Sequence, residues 1–125
     1  MLECFEKHPD CGLASLGNNE HNDEERDEIV EEMYFSVCMM KKEEAWFDLS
    51  YPYNFADTDL VFRLHLNKLK CYKNLSGLVY HKKHATCGLF GGDLEGYKRS
   101  REHFINKYKD HDRDALFQVL AGVQK

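Results

Sequence analysis

Hydrophobic and polar positions along this chain fall into short blocks whose period changes repeatedly, which predicts a mixture of helices and strands. Leu2 and Phe5 above a Glu/Lys surface predict a short helix over residues 2–7. His8-Pro9-Asp10 ends it, because the residue before a proline avoids the helical region. Residues 12–17 (GLASLG) are a short apolar run bounded by Gly and Asn, the pattern of a buried strand. Residues 18–32 carry no apolar stripe before Ile29 and Val30 and predict a solvated loop with at most one helical turn. Residues 33–40 (MYFSVCMM) are apolar or aromatic at nearly every position, as a strand covered on both faces would be, and residues 41–47 predict a short helix.

Residues 48–55 (DLSYPYNF) hold Pro52 between tyrosines and predict a loop with aromatic walls. From Asp57 to Lys70, Leu60, Val61, Leu64 and Leu66 recur near helical spacing, while Asp57, Thr58 and Asp59 supply the oxygens that helix starts prefer. Residues 70–73 and 77–81 predict two extended segments parted by an Asn-Leu-Ser turn, with His81 closing the second. Residues 82–92 mix bases, small residues and glycines in a loop composition. Leu94, Tyr97, Phe104, Ile105 and Tyr108 predict a long amphipathic helix, and residues 114–123 a second one. The expected fold is mixed α/β: a small mixed sheet, a helix starting at Asp57, and C-terminal helices.

Length and composition narrow this further. At 125 residues, 42% of them apolar, the chain can bury a core and is expected to form one folding unit. A net charge of -5 argues against nucleic-acid binding, which needs a dense basic surplus, although residues 63–109 carry most of the bases and could form a local positive face. The five cysteines are odd in number and lack CxxC spacing, so neither a zinc ribbon nor a redox motif is indicated. No apolar run approaches the roughly 18 residues a membrane span requires, and no secretory leader is visible. The expectation is a cytoplasmic, reduced-thiol protein, free or peripheral at the membrane.

Three places could carry chemistry: the acidic start of the Asp57 helix, the His81/His84 loop, and the aromatic loop with Tyr51 and Tyr53. The ordinary reading of Asp59 is a helix cap, and that of His81 a surface or hydrogen-bonded histidine. Asp57, the first carboxylate after the aromatic loop, has a better chance of projecting into a cleft. His81 and His84 could ligate Mn²⁺ or Zn²⁺ with an Asp, or could simply be solvated. Asp57-Thr58-Asp59 is not read as a nucleotide-binding DxD, since no apolar strand leads into it and a helix follows directly.

Taken in order, these pieces resemble the C-terminal, acceptor-side half of the family 2-like inverting glycosyltransferases of GT-A fold. The resemblance runs through LECFEKHPDCGLASLG, MYFSVCMMKKEEAWFD, ADTDLVFRLHLNKLKCYKN, LVYHKKHAT and YKRSREHFINKY, and covers residues 1–108, with 109–125 an additional helix. Its most specific piece is the Asp-x-Asp-Leu-x-x-Arg helix followed by Tyr-His; Ala56 stands where the family usually has Glu. The resemblance implies that Asp57 is the general base, and that Asp59, Arg63 and Tyr53 support it or touch the acceptor. It implies that His81 joins an Mg²⁺ or Mn²⁺ ion, and that a lid with Lys82, Lys83, His84 and Thr86 closes over a nucleotide-sugar donor. Asp57 and His81 are then expected to face one opening. The acceptor would be a sugar or a lipid-linked acceptor. The family's nucleotide-binding half has no counterpart here, so activity would require an N-terminal partner chain, and an unfinished sheet edge would be covered by that partner or by self-association. The competing expectations are a noncatalytic carbohydrate- or protein-binding module and a structural domain without ligand.

Overall fold

Element order in the computed structural model follows the periodicity. The structure describes residues 1–33, 35, 37–82 and 94–123, with backbone alone over 121–123. The helices are α1 (Leu2–Lys7), α2 (Ala56–Leu66), α3 (Leu94–Tyr108) and α4 (Arg113–Val123). The strands are β1 (Cys11–Asn18), β2 (Ile29–Glu31), β3 (Cys38–Met40) and β4 (Lys70–Val79). The chain is therefore mixed α/β, as the pattern predicts. The four described strands form one sheet in the order β2-β4-β1-β3, with β1 and β4 parallel at the centre and the two short strands antiparallel at the edges. Two compact units result. One holds α1 and the sheet, from Met1–Ala45 and from Lys68 through β4; the other holds Trp46–Asn67 with α3 and α4.

In the first unit, β1 is buried along almost its whole length, as expected of a central strand flanked on both sides. Cys4 of α1 packs with Cys11, Ala14 and Tyr72. The His8-Pro9-Asp10 segment that stops α1 also seals this end: the His8 ring stacks on Tyr72 at 4.0 Å, and the Tyr72 hydroxyl donates to Asp10 at 2.9 Å. Burial pushes the thiols up, Cys11 to about 11 and Cys71 to about 12, so they act as small apolar groups rather than nucleophiles.

The predicted turn after Asn74 is instead a break in register within one continuous strand. Leu16 pairs with Asn74 but Gly17 pairs with Leu78, leaving Leu75, Ser76 and Gly77 without partners on β1. The Asn74 side chain accepts the Ser76 amide at 3.0 Å, which locally imitates the turn that the sequence suggests. Strand β4 thereby runs on to Val79 and carries His81 beside the end of β1. At this break Gly17 has no room for a side chain: a Cβ would lie 2.5 Å from Leu78 Cδ2 and 3.2 Å from the Gly77 carbonyl. Gly17→Ala should cost about 1–3 kcal/mol in a urea melt, the usual penalty for overpacking.

Three expectations fail. Ile29–Glu31, expected within the solvated loop 18–32, pairs antiparallel with β4 as β2. Among the described residues of the apolar run 33–40, a strand is formed by 38–40, and it lies at the sheet edge with Val37 and Met39 exposed rather than covered on both faces. Residues 41–47 contain only a 3-10 turn, Lys42–Glu44. A short apolar run has the same appearance whether it is covered on two faces or one, and pairing decides.

The core of the second unit is aromatic. Phe55, Phe62, Phe104 and Tyr108 pack with Leu116, Val119 and Leu120, burials worth about 1.5–3 kcal/mol each. Asp112 starts α4 by accepting the Ala115 amide at 3.1 Å, and its other carboxylate oxygen meets His65 of α2 at 3.1 Å.

Candidate functional site

The junction between the aromatic loop and α2 is built without the usual local devices. Asn54 and Phe55 both take left-handed backbone conformations, φ 59° and 66°, and the N-cap position, Phe55, offers no side-chain hydrogen bond. Such a conformation is unfavourable for a bulky side chain, and burial of Phe55 against Tyr97 and Phe104 offsets it.

Around that junction lies a polar network. Asp59 is fully buried, and its Oδ2 accepts from Tyr51 Oη at 2.6 Å and from Lys107 Nζ at 2.7 Å. Its Oδ1 is buried and meets no hydrogen-bond donor among the described residues. The same Lys107 ammonium donates to Asp48 Oδ2 at 2.8 Å, an oxygen that His103 Nε2 also approaches at 3.0 Å. The other Asp48 oxygen accepts the Ser50 amide, and Ser100 Oγ accepts the Tyr53 amide at 3.0 Å. Ser100, His103 and Lys107 recur at three- and four-residue spacing, so one polar stripe of α3 grips the loop while the neighbouring stripe of Tyr97, Phe104 and Tyr108 faces the core.

The titration behaviour follows from this geometry. The Lys107 ammonium, and after it His103, hold the Asp48 carboxyl well below the usual carboxylate range. Burial pulls Lys107 down, but its bonds to Asp48 and Asp59 outweigh that and raise it above an ordinary lysine. Burial, then the Asp59 carboxylate, raises Tyr51 strongly and Tyr108 to about 12. A depressed acid stabilises the fold above its unfolded value, here 3.8, and loses that contribution as pH falls below it. A raised base stabilises below its unfolded value, here 10.5, and loses its contribution as pH rises beyond. Melting temperature plotted against pH should therefore fall on the acid side below about pH 4, and Asp48→Asn should flatten that acid limb and also soften the alkaline one, since Lys107 loses one of the two acids that raise it.

The residues singled out from sequence fall in distinct settings. Asp57 is exposed, and its Oδ1 accepts the Thr58 amide at 2.9 Å. Asp59 is an interior acid rather than the helix cap of the ordinary reading. Arg63 lies over the Trp46 ring at 3.5 Å from its centre and donates to the Trp46 carbonyl at 3.0 Å, while Trp46 stays half-exposed. Tyr53 is anchored through its amide to Ser100.

Asp57 belongs to the second unit and His81 to the first. In the first unit, the Asn19 side chain grips the His81 backbone, donating to its carbonyl at 3.0 Å and accepting its amide. His81 Nδ1 is 2.9 Å from Glu20 Oε2. Nearby, buried Lys73 donates to Asp23 at 2.9 Å and to His21 Nδ1 at 3.1 Å. Among the described residues no three His, Cys, Asp or Glu side chains converge as a metal site, so His81 and Glu20 offer two donors at most. Lys82 is exposed; Lys83, His84 and Thr86 lie outside the described residues. No described helix is long and apolar enough to cross a membrane.

Sequence reasoning passed over Asp48, His103, Lys107, Ser100, Asn19 and Glu20. The 100/103/107 spacing was a usable signal for a polar stripe, but nothing local names the loop it holds. Compared with models of known families, with curated proteins and with solved structures, the chain matches none of them.

Proposed function

We propose that this chain is the acceptor-side portion of an inverting, nucleotide-sugar-dependent glycosyltransferase, active only together with a nucleotide-binding half. The observation that carries this reading is the contrast between the two acids of Asp57-Thr58-Asp59. Asp59 is fully buried and bonded to Tyr51 and Lys107, whereas Asp57, two residues earlier, stays exposed at the first turn of α2 directly after the aromatic loop. A general base needs this combination, with free access for the acceptor and a rigid mount.

In the reaction, the acceptor hydroxyl oxygen attacks the anomeric carbon from the face opposite the nucleoside diphosphate. The bond to the diphosphate oxygen breaks with its electron pair leaving on that oxygen, and Asp57 receives the hydroxyl proton. Asp59 orders the helix, and Arg63 fixes Trp46, which lines the acceptor side together with Tyr53. A divalent cation, Mg²⁺ or Mn²⁺, would neutralise the leaving diphosphate in the complete enzyme. His81, whose Nδ1 lies 2.9 Å from Glu20 Oε2, would be one ligand to it, and the nucleotide-binding half would have to supply the others. The acceptor is a sugar or a lipid-linked acceptor.

A second reading, a noncatalytic carbohydrate- or protein-binding module, draws support from Trp46, Phe47 and Leu49, which stand exposed on an anchored loop. The two readings separate by mixing the chain with a nucleotide-binding half encoded beside it and following nucleoside diphosphate release from nucleotide sugars. Release that needs both chains supports the transferase. No release, with glycans alone quenching the fluorescence of Trp46, the sole tryptophan, would favour the binding module.

A further inference from the structure

We propose that Lys107 is a positioning residue for Asp57, which deepens the transferase reading and rests on it. The start of α2 lacks a side-chain cap and is entered through two left-handed residues, Asn54 and Phe55, so its place is not fixed by local preference. Contacts from outside the junction must fix it. Lys107 touches both sides: Asp48 at the beginning of the aromatic loop, 2.8 Å away, and Asp59 in the first turn of the helix, 2.7 Å away. Tyr51, in the middle of the loop, closes the triangle on the same Asp59 oxygen at 2.6 Å. Lys107 itself is held on α3, whose Phe104 and Tyr108 are buried in the core on either side of it. The ammonium thus bridges the loop and the helix on which Asp57 is mounted, and it sets where the first turn holds the Asp57 carboxylate. Nothing in this role requires Lys107 to touch a substrate.

The test uses the full chain, isotope-labelled for amide spectra, as Asp48→Asn, Lys107→Met and Lys107→Arg. Asp48→Asn keeps the buried Lys107–Asp59 pair, while it removes the charge that Lys107 meets on the loop side of the bridge. Expected are displaced amide signals at Asp57 and Thr58 in Asp48→Asn and Lys107→Met, unmoved signals in β1, and a return toward the wild-type positions in Lys107→Arg. In the two-chain assembly kcat should fall by on the order of 10–100-fold, with the KM for the donor unchanged. Unmoved Asp57 and Thr58 amides in Asp48→Asn would overturn the proposal, as would a Lys107→Arg spectrum indistinguishable from that of Lys107→Met. If the amides move while Asp57→Asn leaves turnover intact, the positioning role stands and the base assignment falls.

Discussion

Lys107→Met should lower the unfolding free energy by about 3–5 kcal/mol, the usual cost of stripping one partner from a buried ion pair. The loss is large because Asp59 is fully buried, so its carboxylate keeps Tyr51 as a donor but has no counter-charge and little water. Asp48 loses the same partner and retains His103. A domain of this size has only about 5–15 kcal/mol of stability to begin with, so the midpoint of a urea melt should move far while its slope stays fixed. Replacing both members, Asp59→Leu with Lys107→Met, should recover most of the loss, because the penalty lies in the orphaned charge rather than in the missing bond. A single-variant loss below about 1 kcal/mol, the range of surface pairs, would mean that solvent reaches Asp59.

Asp57→Asn should have the opposite profile. Under the transferase reading it removes a general base, and nucleoside diphosphate release by the two-chain assembly should fall by on the order of 10²–10⁴-fold. Stability should change by less than about 1 kcal/mol, since an exposed first-turn acid contributes mainly through the helix dipole. Its structural contact is the Thr58 amide, which the Asn oxygen can still accept. The neighbouring Asp59→Asn should differ from it in stability, with a large loss, because Asp59 is fully buried. Unchanged turnover in Asp57→Asn would rule out its role as base, whatever the fate of the fold.

Much of the fold was legible because the signals are local. The apolar run before Asn18, the helical spacing of Leu60, Val61 and Leu64, and the Tyr97, Phe104, Tyr108 stripe each lie within one element, and each became that element. The single continuous β4 was not legible, because a run of Asn, Leu, Ser and Gly suits a turn as well as a strand with a break in register. Nor were the edge position of residues 38–40 and the burial of Lys73 in the middle of the sheet, a charge that belongs there only because Asp23 answers it across the fold.

The sequence by itself determined where the helices and central strands run and that acids would stand at the start of α2, since periodicity and capping act over a few residues. Only the tertiary structure decided which acid does what. Asp59 lies on the same helical face as Phe62 and Leu66, three and seven residues on, and so turns inward. Its inward oxygen meets a partner there because Lys107, 48 residues away, arrives beside it. That meeting depends on how α3 packs against the core, a free energy spread over many side chains and invisible to any local window. Asp57, about 200° around the helix from Asp59 at about 100° per residue, is left facing out, where chemistry can reach it.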